Sequence, residues 1–331
     1  MPPRPRPGAE AARATRRAFI GAAASLAALR PACAAASRDE SAAYARAYAV
    51  ATGTRGLTGA LPARLPEGVA AQLREGRVLF VGGFLKQLAE AVVGLLERPV
   101  GLGGYFDAQR EALQLQGIDA VELEVHSEGS IARNAPAVAS AIAAAPSPVT
   151  LVTHSKGSLD TLQALLDHPD LASSARIRAW ISLQAPFLGS PLADLNTGNA
   201  LARPVTSYLI EHAFGGSPDV LSDLSVAARS TYQAEHASAI EAIVQAVPTI
   251  CYASWITEGQ PSLFRPTWLI CKLEGQPRND GLVGVASAHL PGAITVDEAG
   301  VDHAMSVMTM PGTGPFDPVC CLTALLTLAL A

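Results

Sequence analysis

Val149-Thr150-Leu151-Val152-Thr153-His154-Ser155-Lys156-Gly157-Ser158-Leu159 is an apolar run that passes, with no spacer, into a stretch of helical pattern. A strand that enters a helix so abruptly belongs to a parallel sheet with crossover helices. Such a turn lifts the side chain at its apex above the sheet in a strained backbone conformation, and its neighbours must be small. Ser155 stands at the apex and Gly157 follows two residues on, while Thr153 is bulkier than the glycine usual at that flanking position. Ser155 is thus a candidate nucleophile above a helix N-terminus; the structural alternative is a plain helix N-cap.

Working outward, short β-type runs recur at 78–81, 121–125, 177–183 and 249–255, with a further short one at 293–296. Helical patterns at 105–116 and 131–145 separate them and are long enough to cross over. The expected fold class is α/β, with a mostly parallel central sheet and helices on both faces. Residues 192–247 read as a helical insertion, broken at Gly215-Gly216-Ser217-Pro218, and are a candidate cap or lid as well as a candidate for ordinary packing over the sheet. The uncharged run 319–331 is short for a membrane span and is expected to be a last helix on the sheet.

With 331 residues, 49% of them hydrophobic and 16% charged, the chain can build a large core. A net charge of −5 without long basic runs leaves no footprint for a nucleic acid. The N-terminus carries Arg4, Arg6 and Arg13, then Thr15-Arg16-Arg17-Ala18-Phe19-Ile20, an apolar stretch at 22–29 and small residues at 32–36. This looks like a twin-arginine export signal over 1–36, which makes the export machinery a partner, places the mature chain outside the cytoplasm and leaves 37–331 as the folded domain. The apolar stretch is too short to span a bilayer. Cys33 follows Arg30-Pro31-Ala32, a poor context for lipid attachment. Cys251, Cys271, Cys320 and Cys321 are an even number in an oxidising compartment and allow a bridge such as Cys251 to Cys271. None has metal-site spacing, and no metal or dissolved cofactor is expected.

A serine nucleophile on such a turn requires an acid and a base later in the chain, in the order Ser, Asp, His. Asp280, in Asn279-Asp280-Gly281, follows the predicted strand 249–255 on a turn-forming sequence. His303 follows one further short strand. His154 adjoins the serine and is expected to point away from its hydroxyl; His212 and His236 precede Asp280, and His289 lies too close to the acid's own loop. Asp302, Asp297 and Asp223 are reserve acids. The loop after the first strong strand, Phe80-Val81-Gly82-Gly83-Phe84, lets backbone approach closely, so the N–H groups of Phe84 and Lys156 are the candidate oxyanion hole.

Three segments together resemble those of bacterial secreted lipases of the α/β-hydrolase superfamily. His154-Ser155-Lys156-Gly157 is similar to their His-Ser-x-Gly turn. Residues 184–194, Gln-Ala-Pro-Phe-Leu-Gly-Ser-Pro-Leu-Ala-Asp, resemble their Thr-Pro-His-x-Gly-Ser-x-x-Ala-Asp segment, and 279–290 resemble the loop bearing their triad aspartate. The resemblance covers roughly 78–310. It implies an α/β-hydrolase fold with a Ser155, Asp280, His303 triad, Phe84 and Lys156 at the oxyanion hole, and hydrolysis of small-molecule or lipid acyl esters. The chain departs from the pattern at Thr153, at Gly82-Gly83 where a His-Gly is usual, and at Met305, where many relatives carry a calcium-binding aspartate. The alternatives are a polyhydroxyalkanoate depolymerase, an acyltransferase, and a non-catalytic ligand-binding protein on the same scaffold.

Overall fold

The computed structural model describes residues 36–55, 63–83, 104–126, 129–146, 148–198, 218–309 and 315–331. The expected export signal, Phe84 and the central part of the 192–247 insertion, with His212 and the Gly215–Ser217 break, lie outside the described residues. The strands are β1 (Arg38–Asp39), β2 (Arg77–Val81), β3 (Asp119–Leu123), β4 (Val149–His154), β5 (Ile177–Leu183), β6 (Thr249–Trp255) and β7 (Ile294–Ala299). They form one seven-stranded sheet in the order β1-β7-β6-β5-β4-β2-β3, and every pairing is parallel. The apolar runs of the sequence therefore fall on the strands expected. Only β1 carries no apolar signal; its two exposed residues pair with the edge of β7.

All six residues of β4 are buried. Successive residues face opposite sides of a sheet, so helices cover both faces. One group comprises α1 (Ser41–Thr54), α2 (Glu67–Arg74), α3 (Asp107–Gln114) and the C-terminal α12 (Pro318–Leu330); the other comprises α4 (Ile131–Ala144), α5 (Lys156–Asp167), α6 (Pro169–Ser173) and α10 (Ala237–Ala246). Large buried side chains, Phe80, Trp180, Phe187 and Tyr252 among them, fill the layers between. The described helices of the insertion divide in two. Helix α10 packs on α5 and α6 as a crossover helix into β6, whereas α7 (Pro191–Gly198), α8 (Pro218–Asp223) and α9 (Val226–Glu235) contact one another. Among the described residues no helix is long and apolar enough to cross a membrane.

The bridge that the sequence allowed, such as Cys251 to Cys271, is not formed. Cys251, Cys271, Cys320 and Cys321 are all free and buried. Cys251 lies on β6, where its sulfur accepts a hydrogen bond from the Leu290 N–H, and Cys271 lies in α11 (Arg265–Leu273). Burial pushes the Cys251 thiol up to about 12, so both act as small core hydrophobes rather than reactive thiols.

Helix α5 approaches the end of β2 so closely that a Cβ on Gly157 would lie 2.5 Å from the carbonyl oxygens of both Val81 and Gly82. Both are backbone atoms and cannot swing aside. Gly157→Ala is expected to lower unfolding free energy by about 2–3 kcal/mol, the scale of an overpacked core, in urea titrations; an unchanged midpoint would contradict this packing.

Candidate active site

Ser155 directly follows β4 and directly precedes α5, with φ 52° and ψ −129°. A positive φ is uncommon for a residue with a side chain and persists only where the surroundings dictate it. Here the Ser155 N–H donates to the Leu183 carbonyl of β5 at 2.9 Å. Gly83, at the exit of β2, presses on the same turn: a Cβ there would stand 2.7 Å from Ser155 Cβ and 2.8 Å from the His154 carbonyl oxygen. The turn foreseen at Ser155 is thus present. Thr153 is accommodated because its buried hydroxyl accepts from Trp180 Nε1 at 2.9 Å and pairs with Ser158 Oγ at 2.7 Å.

The candidate acid and the candidate base come together. His303 Nδ1 lies 2.7 Å from Asp280 Oδ2, with both side chains about fully buried. Asp280 is oriented by its own turn: Oδ1 accepts from the N–H groups of Leu282 at 2.9 Å and Val283 at 2.7 Å, which leaves Oδ2 for the imidazole. Gly281 has a φ of 102°, and the side-chain oxygen of Asn279 accepts its N–H at 3.0 Å, so Asn-Asp-Gly is the turn its composition foretold. The His303 N–H also donates to the Asp280 carbonyl at 3.0 Å. With Nδ1–H given to a carboxylate, Nε2 holds the lone pair. That atom is buried and has no hydrogen-bond partner, so the structure does not join Ser155 to His303 by a hydrogen bond. Such contacts are often long in free enzymes and close around substrate.

The reserve acids have other work. Asp302 Oδ1 accepts from the N–H groups of Ala304 and Met305, at 3.0 and 3.1 Å, and Oδ2 accepts from Ser262 Oγ at 2.7 Å, which shapes the turn carrying His303. Burial raises the Asp302 carboxyl pKa. Asp297 pairs with Arg278 and His289, and Asp223 accepts the Ile131 N–H that opens α4. Residues 184–194 seat the insertion. Gly189, at φ 84°, leaves no room for a Cβ beside Ser225 and Val226, and the Asp194 carboxylate accepts the Val226 N–H at 3.1 Å, at the start of α9.

Of the oxyanion candidates, Lys156 opens α5, where the first N–H groups have no acceptor within the helix; Phe84 lies outside the described residues. The Lys156 side chain turns into the protein, and Nζ meets both carboxylate oxygens of Asp160 at 2.9 Å. Burial pushes the Asp160 carboxyl up to about 6, against the pull of Lys156 and of the Asn134 amide. Sequence reading did not single out this pair, although its i,i+4 spacing on α5 is local; it also missed two buried polar residues near His303, Tyr105 and Gln184, because contacts across the fold carry no local pattern.

No protein-family model and no curated protein sequence matches the chain. Solved structures do match. A carboxyl esterase from a metagenome superposes with a TM-score of 0.68 at 22% identity, over 93% of this chain and 98% of that one. A Bacillus licheniformis lipase in mature form superposes with a TM-score of 0.58 at 20% identity, over 78% of this chain and 93% of that one. Together with the all-parallel sheet, these likenesses settle the architecture. The fold is that of an α/β-hydrolase. In an α/β-hydrolase the turns leaving the carboxyl ends of the strands form the site, and here Ser155 and Gly83 follow the ends of β4 and β2.

The buried Lys156–Asp160 pair gives a sharp expectation beneath the Ser155 turn. Removing one partner leaves the other buried and uncompensated, so Asp160→Leu is expected to cost about 3–5 kcal/mol, whereas Lys156→Met with Asp160→Leu costs much less. Urea unfolding of the two variants checks it. Equal losses in the single and the double variant would contradict a coupled pair.

Proposed function

We propose that this chain is a serine hydrolase that cleaves carboxylic esters through an acyl-enzyme. The observation that carries the reading is a conjunction: a serine in strained backbone at a strand-to-helix turn, in a chain whose later loops bury an Asp280–His303 hydrogen bond. Either alone is common in folded proteins. Together, in this order and on this fold, they are the parts of a Ser-His-Asp relay. The fold neighbours named carboxyl esterase and lipase support the same chemistry.

In this mechanism His303 Nε2 takes the proton of Ser155 Oγ as that oxygen attacks the ester carbonyl carbon. Asp280, held by the Leu282 and Val283 N–H groups, keeps the imidazole in the tautomer with Nδ1–H and stabilises the imidazolium. The negative oxygen of the tetrahedral intermediate is met by the Lys156 N–H and, by its place in the sequence, the Phe84 N–H. Collapse expels the alcohol, which takes the proton from His303. Water then enters by the same route, His303 removes its proton, and the acid product leaves Ser155 free. The resemblance to secreted lipases places lipid or other poorly soluble acyl esters ahead of small hydrophilic ones.

Ser155→Ala is expected to reduce turnover of short p-nitrophenyl esters to background, and Asp280→Asn to lower kcat by roughly 10⁴-fold, the effect of a misplaced tautomer. Steady-state kinetics on purified, folded variants checks both. Full activity in Ser155→Ala would end this reading.

A further inference from the structure

Behind the triad, one imidazole connects three loops. His154 is fully buried between the sheet and the His303 turn. Its Nε2 lies 3.0 Å from the backbone carbonyl oxygen of His303 and 3.3 Å from Gln184 Oε1. Its Nδ1 meets the Tyr105 hydroxyl in a short hydrogen bond. The same hydroxyl accepts the Gly83 N–H at 3.0 Å. The end of β4, the exit of β2 and the base loop are therefore joined through a single ring.

Chemistry allows this chain of bonds to run in only one direction. A carbonyl oxygen cannot donate, so His154 Nε2 carries the hydrogen. Burial holds the His154 pKa well below its ordinary value, and the nearby His303 lowers it further. In the neutral ring Nδ1 is then a bare lone pair, and Tyr105 must donate to it. Burial raises the Tyr105 pKa, so its proton stays in place. The Tyr105 oxygen is left to accept from Gly83. Gln184 follows the same logic. Its nitrogen donates to the Asp302 carbonyl at 3.0 Å and to Ser254 Oγ at 2.6 Å, while its oxygen accepts from Ser306 Oγ at 2.5 Å. Every donor in the set has one acceptor type open to it.

The surroundings are built for this order. Phe106, at φ 57°, turns the chain into α3 and donates its N–H to the Val307 carbonyl at 2.9 Å, so the loop that presents Tyr105 is tied to the segment after His303. Gln109 adds a bond to the Ser306 carbonyl at 3.0 Å. The His154 and His303 rings lie 4.6 Å apart, centroid to centroid. A second positive ring at that distance would oppose the imidazolium that His303 forms in turnover.

We propose that His154 and Tyr105 are positioning residues: through the bonds Gly83 N–H to Tyr105 to His154 to the His303 carbonyl, they set the base and the oxyanion loop in register with Ser155. This rests on the proposed serine-hydrolase function. Neither residue touches substrate, so their loss acts on kcat. His154→Phe keeps the ring's bulk but breaks the chain on both sides, and kcat is expected to fall about 100-fold with KM within about threefold, the scale of a misplaced reacting group. His154→Gln offers an acceptor and a donor again and is expected to recover to within about tenfold of wild type. Tyr105→Phe removes one oxygen and is expected to lower kcat by about tenfold, since the buried hydrogen bonds of that hydroxyl to His154 and from Gly83 are lost. Equal kcat for the Phe and Gln variants of His154 at matched thermal unfolding temperature, or a loss confined to KM, would overturn the proposal.

Nitrogen-15 NMR of histidine-labelled protein tests the same chain without turnover. The resonance lost in His154→Gln should be that of a neutral ring with hydrogen on Nε2, unchanged between about pH 5 and about pH 8, since the polar groups in contact with the ring are Tyr105, Gln184 and His303. A ring that titrates in that range, or carries its hydrogen on Nδ1, would refute the proposal even if the esterase reading stood. A silent wild type with the expected His154 resonance would instead sink the esterase reading alone.

Discussion

The close approach of β2, β4 and α5 at Ser155 is the constraint on which the site rests. A serine backbone at φ 52° is costly by itself. It persists because the turn is clamped: the Leu183 carbonyl takes the Ser155 N–H on one side, while Gly83 and Gly157 leave no room for the backbone to relax on the other. Two hydrogens in place of two methyl groups let the exit of β2 lie against the turn. That contact brings the backbone of Gly83 beside the serine, so the packing of the sheet and the chemistry proposed for it are one requirement.

Polar satisfaction follows from that geometry. The sheet is buried on both faces, and any charged or hydrogen-bonding group at its upper edge has to find partners within the protein. Asp280 divides its two oxygens between its own turn and His303. Asp302 does the same between the His303 turn and Ser262. Lys156 is neutralised by Asp160 directly beneath the turn. His303 Nε2 is among the described buried side-chain atoms that have no hydrogen-bond partner, as is Gln109 Oε1 nearby in the fold. The Nε2 lone pair is the one that the proposed reaction needs.

Much of this architecture was legible in the residues. Five apolar runs and a sixth short one marked β2 to β7, because a strand covered on both faces reads as a continuous hydrophobic segment. Asp280 and His303, the acid and base expected from chain order and from the turn chemistry of Asn279-Asp280-Gly281, do meet in the fold. What could not be read was set by tertiary contact. Strand β1 has no apolar signal because it lies exposed at the sheet edge. Tyr105 and Gln184 gain their meaning only beside His154 and Asp302, which lie far away in sequence. The cysteine bridge failed for a related reason: even numbers of thiols say nothing about whether a strand residue and a helix residue face one another. Thr153 looked like a flaw in the turn, and only the structure shows that Trp180 and Ser158 take up its hydroxyl.

The central claim is that Ser155 is an activated nucleophile, and covalent mapping tests it most directly. The purified chain would be treated with a fluorophosphonate, and the modified residue located by peptide mass spectrometry. A single adduct on Ser155 that fails to form after prior unfolding is the expected result. A folded protein that stays unmodified, or an adduct on any other residue, would contradict the account.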